Sequence, residues 1–144
     1  MGKNKNGKIK NRHKLTQGNT IELPDGKTVI EKFEHPVFCF KYLDRDYGLG
    51  KCTEDEKAAL IDTISKISSM TWKQMRQTQR HGIGGGEKIP KKQIKRPLPS
   101  FITPDVDFLL AYRFSGNKPF LGHQHQFVLH VIFIDRDFTL YDHN

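Results

Sequence analysis

The 144-residue chain predicts an α+β fold: two helices packed on an antiparallel sheet with a C-terminal β-meander, preceded by a disordered basic arm. Three features carry that expectation. Apolar residues across 58–75 recur at three- and four-residue spacing, the period of a helix with one buried face. From residue 107 onward, short apolar runs alternate with turn residues, the pattern of a meander. Residues 1–14 hold six Lys/Arg and no acid, a composition that cannot bury apolar surface and predicts disorder. The chain is therefore divided into an arm, 1–15, and a single α+β domain, 16–144, long enough to bury a core without disulfide support.

Each element has its own signal. In "NTIELPDGKTVIEKF" (19–33), Ile21 and Leu23 alternate with polar residues, Pro24, Asp25 and Gly26 supply a turn, and Thr28, Val29 and Ile30 return as a strand. Pro36 ends that hairpin, because the residue before proline is pushed toward extended geometry. "VFCFKYL" (37–43) is β-branched and aromatic and reads as a strand. Thr53 followed three residues later by Glu56 forms a capping box, with acids on the positive end of the helix dipole. Ala59, Leu60, Thr63, Ile64 and Ile67 then keep helical spacing. A second helix starts from Ser69 or Thr71 and carries Trp72 and Met75 inward. It must stop by "HGIGGGEKIP".

That glycine-rich stretch is not read as a nucleotide cradle. A P-loop needs a preceding strand, its full spacing and a following helix, whereas here a helix precedes, Glu87 interrupts and Pro90 follows. A hinge, or a loop hugging a phosphate backbone, is the expectation instead. "KIPKKQIKRPLP" (88–99) has five Lys/Arg, three Pro and no acid, and reads as an extended basic linker. The meander follows as "DFLLAYRFS", "PFLGH", "FVLHVIFID" and a last strand "TLYDH", with Asp135, Arg136 and Asp137 in the final tight turn.

The formal net charge of +8 implies a polyanionic or acidic protein partner. No apolar run approaches ~20 residues, so no transmembrane helix is expected. The N-terminus has no apolar h-region for a secretory signal, and Asn6 breaks a myristoylation pattern. Two cysteines, Cys39 and Cys52, fit a reduced, cytoplasmic chain. Lys73, Arg76 and Arg80 fall three or four apart and share a basic helix face. With Lys91, Lys92, Lys95 and Arg96 they are the candidate nucleic-acid contacts.

Histidines cluster in "GHQHQFVLHVIFID". On strict alternation Phe127, Leu129, Val131 and Phe133 share one face and Val128, His130, Ile132 and Ile134 the other. Both faces are apolar, which predicts a central strand covered on both sides and a core histidine at 130. His123 and His125 stand at the strand's entrance. His-x-His is a metal spacing, but zinc needs three or four ligands. An acid/base role is the competing reading, since histidine moves protons near neutral pH.

The order strand, helix, helix, meander, with Arg113 in a sheet strand, "IDRDFTLYDH" at the end and Tyr141 followed by His143, resembles the RelE/ParE-like toxins, small basic RNA endonucleases, many of them ribosome-dependent. The resemblance covers residues 37–143. It implies attack of an RNA 2′-OH on the adjacent phosphate without cofactor or metal. Arg113 would stabilise the phosphate, Tyr141 and His143 would serve as acid and base, and His123 or His125 would be the second proton carrier. Lys73, Arg76 and Arg80 would clamp the backbone. RNA, on the ribosome in part of that family, and an acidic antitoxin are the implied partners. Two other readings stand beside it: a non-catalytic nucleic-acid-binding or phage-borne regulatory module, and a small metal-binding protein using His123 and His125.

Overall fold

Helix α1 (Glu54–Ser68) starts where its capping box places it: Thr53 Oγ1 accepts from the Glu56 N–H and Glu56 Oε1 accepts from the Thr53 N–H. Helix α2 (Trp72–Gln77) repeats the device with Thr71 and Gln74. The structure is a computed structural model that describes residues 15–16, 20–22, 24–26, 28–30 and 34–143. The basic arm expected over 1–14 lies outside those residues.

The chain divides into two units, 1–33 and 34–144. In the first, β1 (Leu15–Thr16), β2 (Thr20–Glu22) and β3 (Thr28–Ile30) form an antiparallel sheet in that order. The expected hairpin is its β2–β3 pair, with Glu22 opposite Thr28.

In the second unit, β4 (Val37–Cys39), β5 (Gly86–Pro90), β6 (Phe108–Ser115), β7 (Lys118–His125) and β8 (Val128–Ile134) form a five-stranded sheet ordered β4-β8-β7-β6-β5. All its pairings are antiparallel except β4 with β8. The fold class is the α+β arrangement the sequence predicts. On one face, Leu60, Ile67, Trp72 and Met75 of the helices pack on Tyr112, Phe114, Phe120, Leu129 and Val131. Each such buried side chain contributes about 1.5–3 kcal/mol. The Trp72 indole N–H donates to the Phe127 carbonyl at 3.1 Å, so its one polar atom is satisfied. On the other face, Leu109, Leu121, Ile132 and Phe133 are covered by Leu140 and Tyr141 and by loop residues Tyr47, Ile94, Leu98 and Phe101.

Three local expectations change. Residues 86–90, taken partly as linker, are strand β5. It is an edge strand, the position where lysine and proline are tolerated because one side needs no ladder partner. The stretch 139–143 is not a strand. Asp135 accepts the Thr139 and Leu140 N–H groups at 2.9 and 3.2 Å, capturing donors that a ladder would need. Strict alternation in β8 also fails. Leu121 faces Phe133 while Gly122 faces Val131, leaving Ile132 as an extra, bulged residue. Ile132 and Phe133 therefore both reach the loop-covered face, and Ile134 returns to the helix face.

The glycine stretch is explained by packing. A Cβ on Gly85 would run into the Gln79 carbonyl, and one on Gly84 would stand 2.6 Å from Met70 Sδ. The connection from α2 to β5 can fold tightly against the helix end only with these positions bare.

Candidate active site

The C-terminal segment returns over the loop-covered face and closes a cleft of about 480 Å³. β6 supplies Arg113, the turn after α2 supplies Arg80, β5 supplies Glu87 and Lys88, and the terminal segment supplies Phe138, Tyr141 and His143. Arg80, Glu87, Arg113, Asn117, Tyr141 and His143 also line a small cavity of about 30 Å³ beside it.

Asp135 organises this end of the cleft. Its carboxyl is 0% exposed. Besides the two backbone N–H groups it accepts a hydrogen bond at 3.0 Å from His143 Nε2. A buried carboxylate is an acceptor, so Nε2 carries a proton and donates it to Asp135, which leaves Nδ1 as the nitrogen turned away from that bond. The imidazole is further held by the Tyr141 ring, 3.9 Å away between centroids and tilted 33°. The Phe138 ring meets it edge-on at 5.1 Å. A histidine oriented by a buried carboxylate has the base-and-orienter geometry of proton-transfer sites.

The cations are equally fixed. Arg113 Nη1 donates to Asn117 Oδ1 at 3.0 Å and to His81 Nδ1. Because guanidinium only donates, His81 Nδ1 is the acceptor there and its proton sits on Nε2. Arg80 reaches Glu87 at 3.5 Å. Burial pushes the Tyr141 phenol up to about 12, with Glu87 and Asp135 adding to the effect and Arg113 and Arg80 opposing it. Tyr141 is therefore a hydrogen-bond and proton donor across the physiological range.

Arg113, Arg80, Tyr141 and His143 thus converge. His123 and His125 do not join them. Arg113 stands opposite Pro119 at one end of β7, and His123 lies four residues further along, about 13 Å at strand rise. It lines a separate cleft of about 300 Å³ with Asp105 and Asp107 and lies against Phe101. Burial lowers its pKa, helped by His125 and His130. His130, half-buried beside Tyr42 and Phe101, also has its pKa lowered by burial. Among the described residues, no three His, Cys, Asp or Glu side chains group as a metal site, so the His123/His125 pair has no third ligand there.

The basic candidates also divide. Helix α2 ends at Gln77, so Arg80 leaves the face it was expected to share with Lys73 and Arg76. Those two are exposed, with Arg76 on a groove beside Trp72 and Phe108. Lys91 caps the Pro104 carbonyl and Lys92 is exposed. Lys95 pairs with Asp142. Arg96 bridges Asp44 and Asp46. Burial opposes ionisation of Asp44, but Arg96 and the Tyr47 and Asp46 N–H groups outweigh it and hold the carboxyl below its usual range. Lys95 and Arg96 therefore pin loops against this face of the sheet. The Lys95 N–H also donates to the Leu140 carbonyl, tying the linker to the terminal segment.

His81, Glu87, Asn117 and Asp135 are site residues that sequence reasoning did not select. Asp135 had a detectable signal, an Asp closing an apolar strand with Thr four residues on. Comparison of the chain with protein-family models, curated proteins and solved structures gives no match.

Proposed function

We propose that this protein is a basic, RNA-directed endoribonuclease that cleaves by 2′-OH transesterification using its own side chains. The observation that carries the reading is the His143 imidazole hydrogen-bonded to buried Asp135 and lining one cleft with Arg113 and Arg80. His143 Nδ1 takes the proton of the 2′-OH, whose oxygen attacks the neighbouring phosphorus. Arg113, steadied by His81 and Asn117, binds the phosphoryl oxygens as charge builds, with Arg80 beside it. The phosphorus–5′-oxygen bond breaks, and the departing oxygen takes the Tyr141 phenolic proton. The products are a 2′,3′-cyclic phosphate and a 5′-hydroxyl end. Asp135 stabilises the imidazolium formed on the way.

The reading carries over the RelE/ParE-like resemblance of the sequence, drawn from element order and from Tyr141 followed by His143. On that reading an acidic antitoxin would complement the +8 charge, and the protein would act in the cytoplasm. Among the described residues no helix is long and apolar enough to cross a membrane.

The test is purified protein incubated with RNA in EDTA, with RNA ends mapped chemically. New 5′-hydroxyl and cyclic-phosphate ends are expected, lost in His143→Ala and Arg113→Ala variants whose circular dichroism is unchanged. Cleavage that survives in both variants would overturn the assignment. Salt-sensitive binding without cleavage would leave the non-catalytic binding module.

A further inference from the structure

Phe138 is costly to the fold in two ways. Its φ is 57°, the left-handed region, where a bulky L-residue is an outlier. Its ring is 41% exposed, so it recovers little of the burial that normally justifies an aromatic side chain. Gln126 is the other non-glycine residue with positive φ among those described. It sits in the tight turn between β7 and β8 and is polar, an ordinary place for that conformation.

The edge-on contact of Phe138 with His143 leaves much of the ring uncovered. What the conformation achieves is placement. The segment is held from below by Asp135, which takes the N–H groups of Thr139 and Leu140. The Phe138 ring is thereby raised at the wall of the cleft, edge-on to His143. A partly exposed ring on the cleft wall stands beside the group proposed to deprotonate a ribose hydroxyl. A base attached to that ribose is a flat, apolar-faced partner within the same short reach.

We infer that Phe138 is a nucleobase-stacking platform that seats the base of the nucleotide whose phosphate lies on Arg113 and Arg80. The inference rests on the ribonuclease reading of the same cleft. Stacking on an aromatic ring accepts any base, so it predicts grip and register more than sequence choice.

The experiment uses the full-length chain and a fluorescent, all-2′-O-methyl RNA oligonucleotide, which cannot be cleaved, read by anisotropy. Phe138→Gly relieves the left-handed strain, so its Tm should equal or exceed that of the wild type. Its affinity for the oligonucleotide should fall about tenfold. Phe138→Trp should bind at least as tightly as the wild type. Oligonucleotides each carrying one abasic site should include one that weakens the wild type by a similar factor and Phe138→Gly far less. Unchanged affinity in Phe138→Gly, or tryptophan behaving like glycine, would overturn the stacking role. A wild type that binds the oligonucleotide but yields no cleaved ends from natural RNA would sink the ribonuclease reading, whatever Phe138 does. A wild type that does not bind overturns both.

Discussion

Replacing Glu56 with Gln isolates one ion pair from the helix cap it shares. Glu56 is the third residue of the capping box and accepts from Thr53, a duty that glutamine also performs. The same carboxylate takes bonds at 3.0 Å from Arg136 Nε to each oxygen and faces Lys118 at 3.5 Å. The Arg136 bonds hold its pKa at about 2, against 4.5 ordinarily, with burial opposing and the Thr53 contacts assisting. About 2.5 pH units corresponds to roughly 3.4 kcal/mol at 1.36 kcal/mol each. The carboxylate is 5% exposed, but Arg136 and Lys118 are a quarter exposed or slightly more, so solvent screening trims the expectation to about 2–3 kcal/mol. A folded pKa below the unfolded one stabilises above pH 4.5, and that stability is lost as pH falls toward 2. Thermal unfolding by circular dichroism should therefore put Glu56→Gln about 8–12 °C below the wild type at pH 7. The gap should shrink as pH falls from 4.5 and be small at pH 2, where about half of the wild-type carboxyls are as neutral as the amide. A gap under ~0.5 kcal/mol at pH 7, or one that is undiminished at pH 2, would refute the reasoning. Arg136 opens the segment that carries Phe138, Tyr141 and His143, so the variant tests how firmly that segment is anchored to α1.

Asp135→Asn should lower kcat for RNA cleavage by about a hundredfold or more, because the amide no longer holds His143 in the right tautomer; rapid-quench kinetics on a short RNA would read it, and a near-normal rate would count against the pair. Tyr141→Phe keeps the buried ring but removes the donor, so kcat should drop with little change in Tm. The wild-type rate should show no falling limb from this phenol below about pH 11, given its pKa near 12. Gly122→Ala would set a Cβ 2.5 Å from the His130 carbonyl across the β7–β8 ladder; urea titration should show a loss of about 1–3 kcal/mol, and an unchanged midpoint would mean the strands can separate without cost.

Elements with local chemistry were legible in the sequence. Thr53 with Glu56 marks the first helix start, and the second was narrowed to Ser69 or Thr71, of which Thr71 is the cap, because capping is decided within four residues. The antiparallel core of the meander follows from short apolar runs such as "DFLLAYRFS" and "FVLHVIFID" separated by turn residues. Elements that depend on position in the sheet were not legible. Lys88 and Pro90 look like linker residues until β5 is known to be an edge, and "TLYDH" looks like a strand until Asp135 is known to take its donors. The site follows the same division. Arg113, Tyr141 and His143 came from a resemblance in element order. His81 and Glu87 flank the glycine turn that brings them to β6, a closure set by packing against Gln79 and Met70. His123 and His125 attracted attention by proximity to the apolar run, yet β7 carries them to its far end.

The bulge at Ile132 has a consequence for insertions and deletions. Strand β8 is two alternating segments set out of phase by one residue, and the slip puts Asp135 on the side where His143 can reach it. Removing Ile132 would join the segments into one regular ladder while leaving Phe133, Ile134 and Asp135 on their present faces. Removing Leu129 would instead invert the phase of the residues before it. A single-residue deletion in a largely buried strand is thus tolerable at one position and ruinous three residues away.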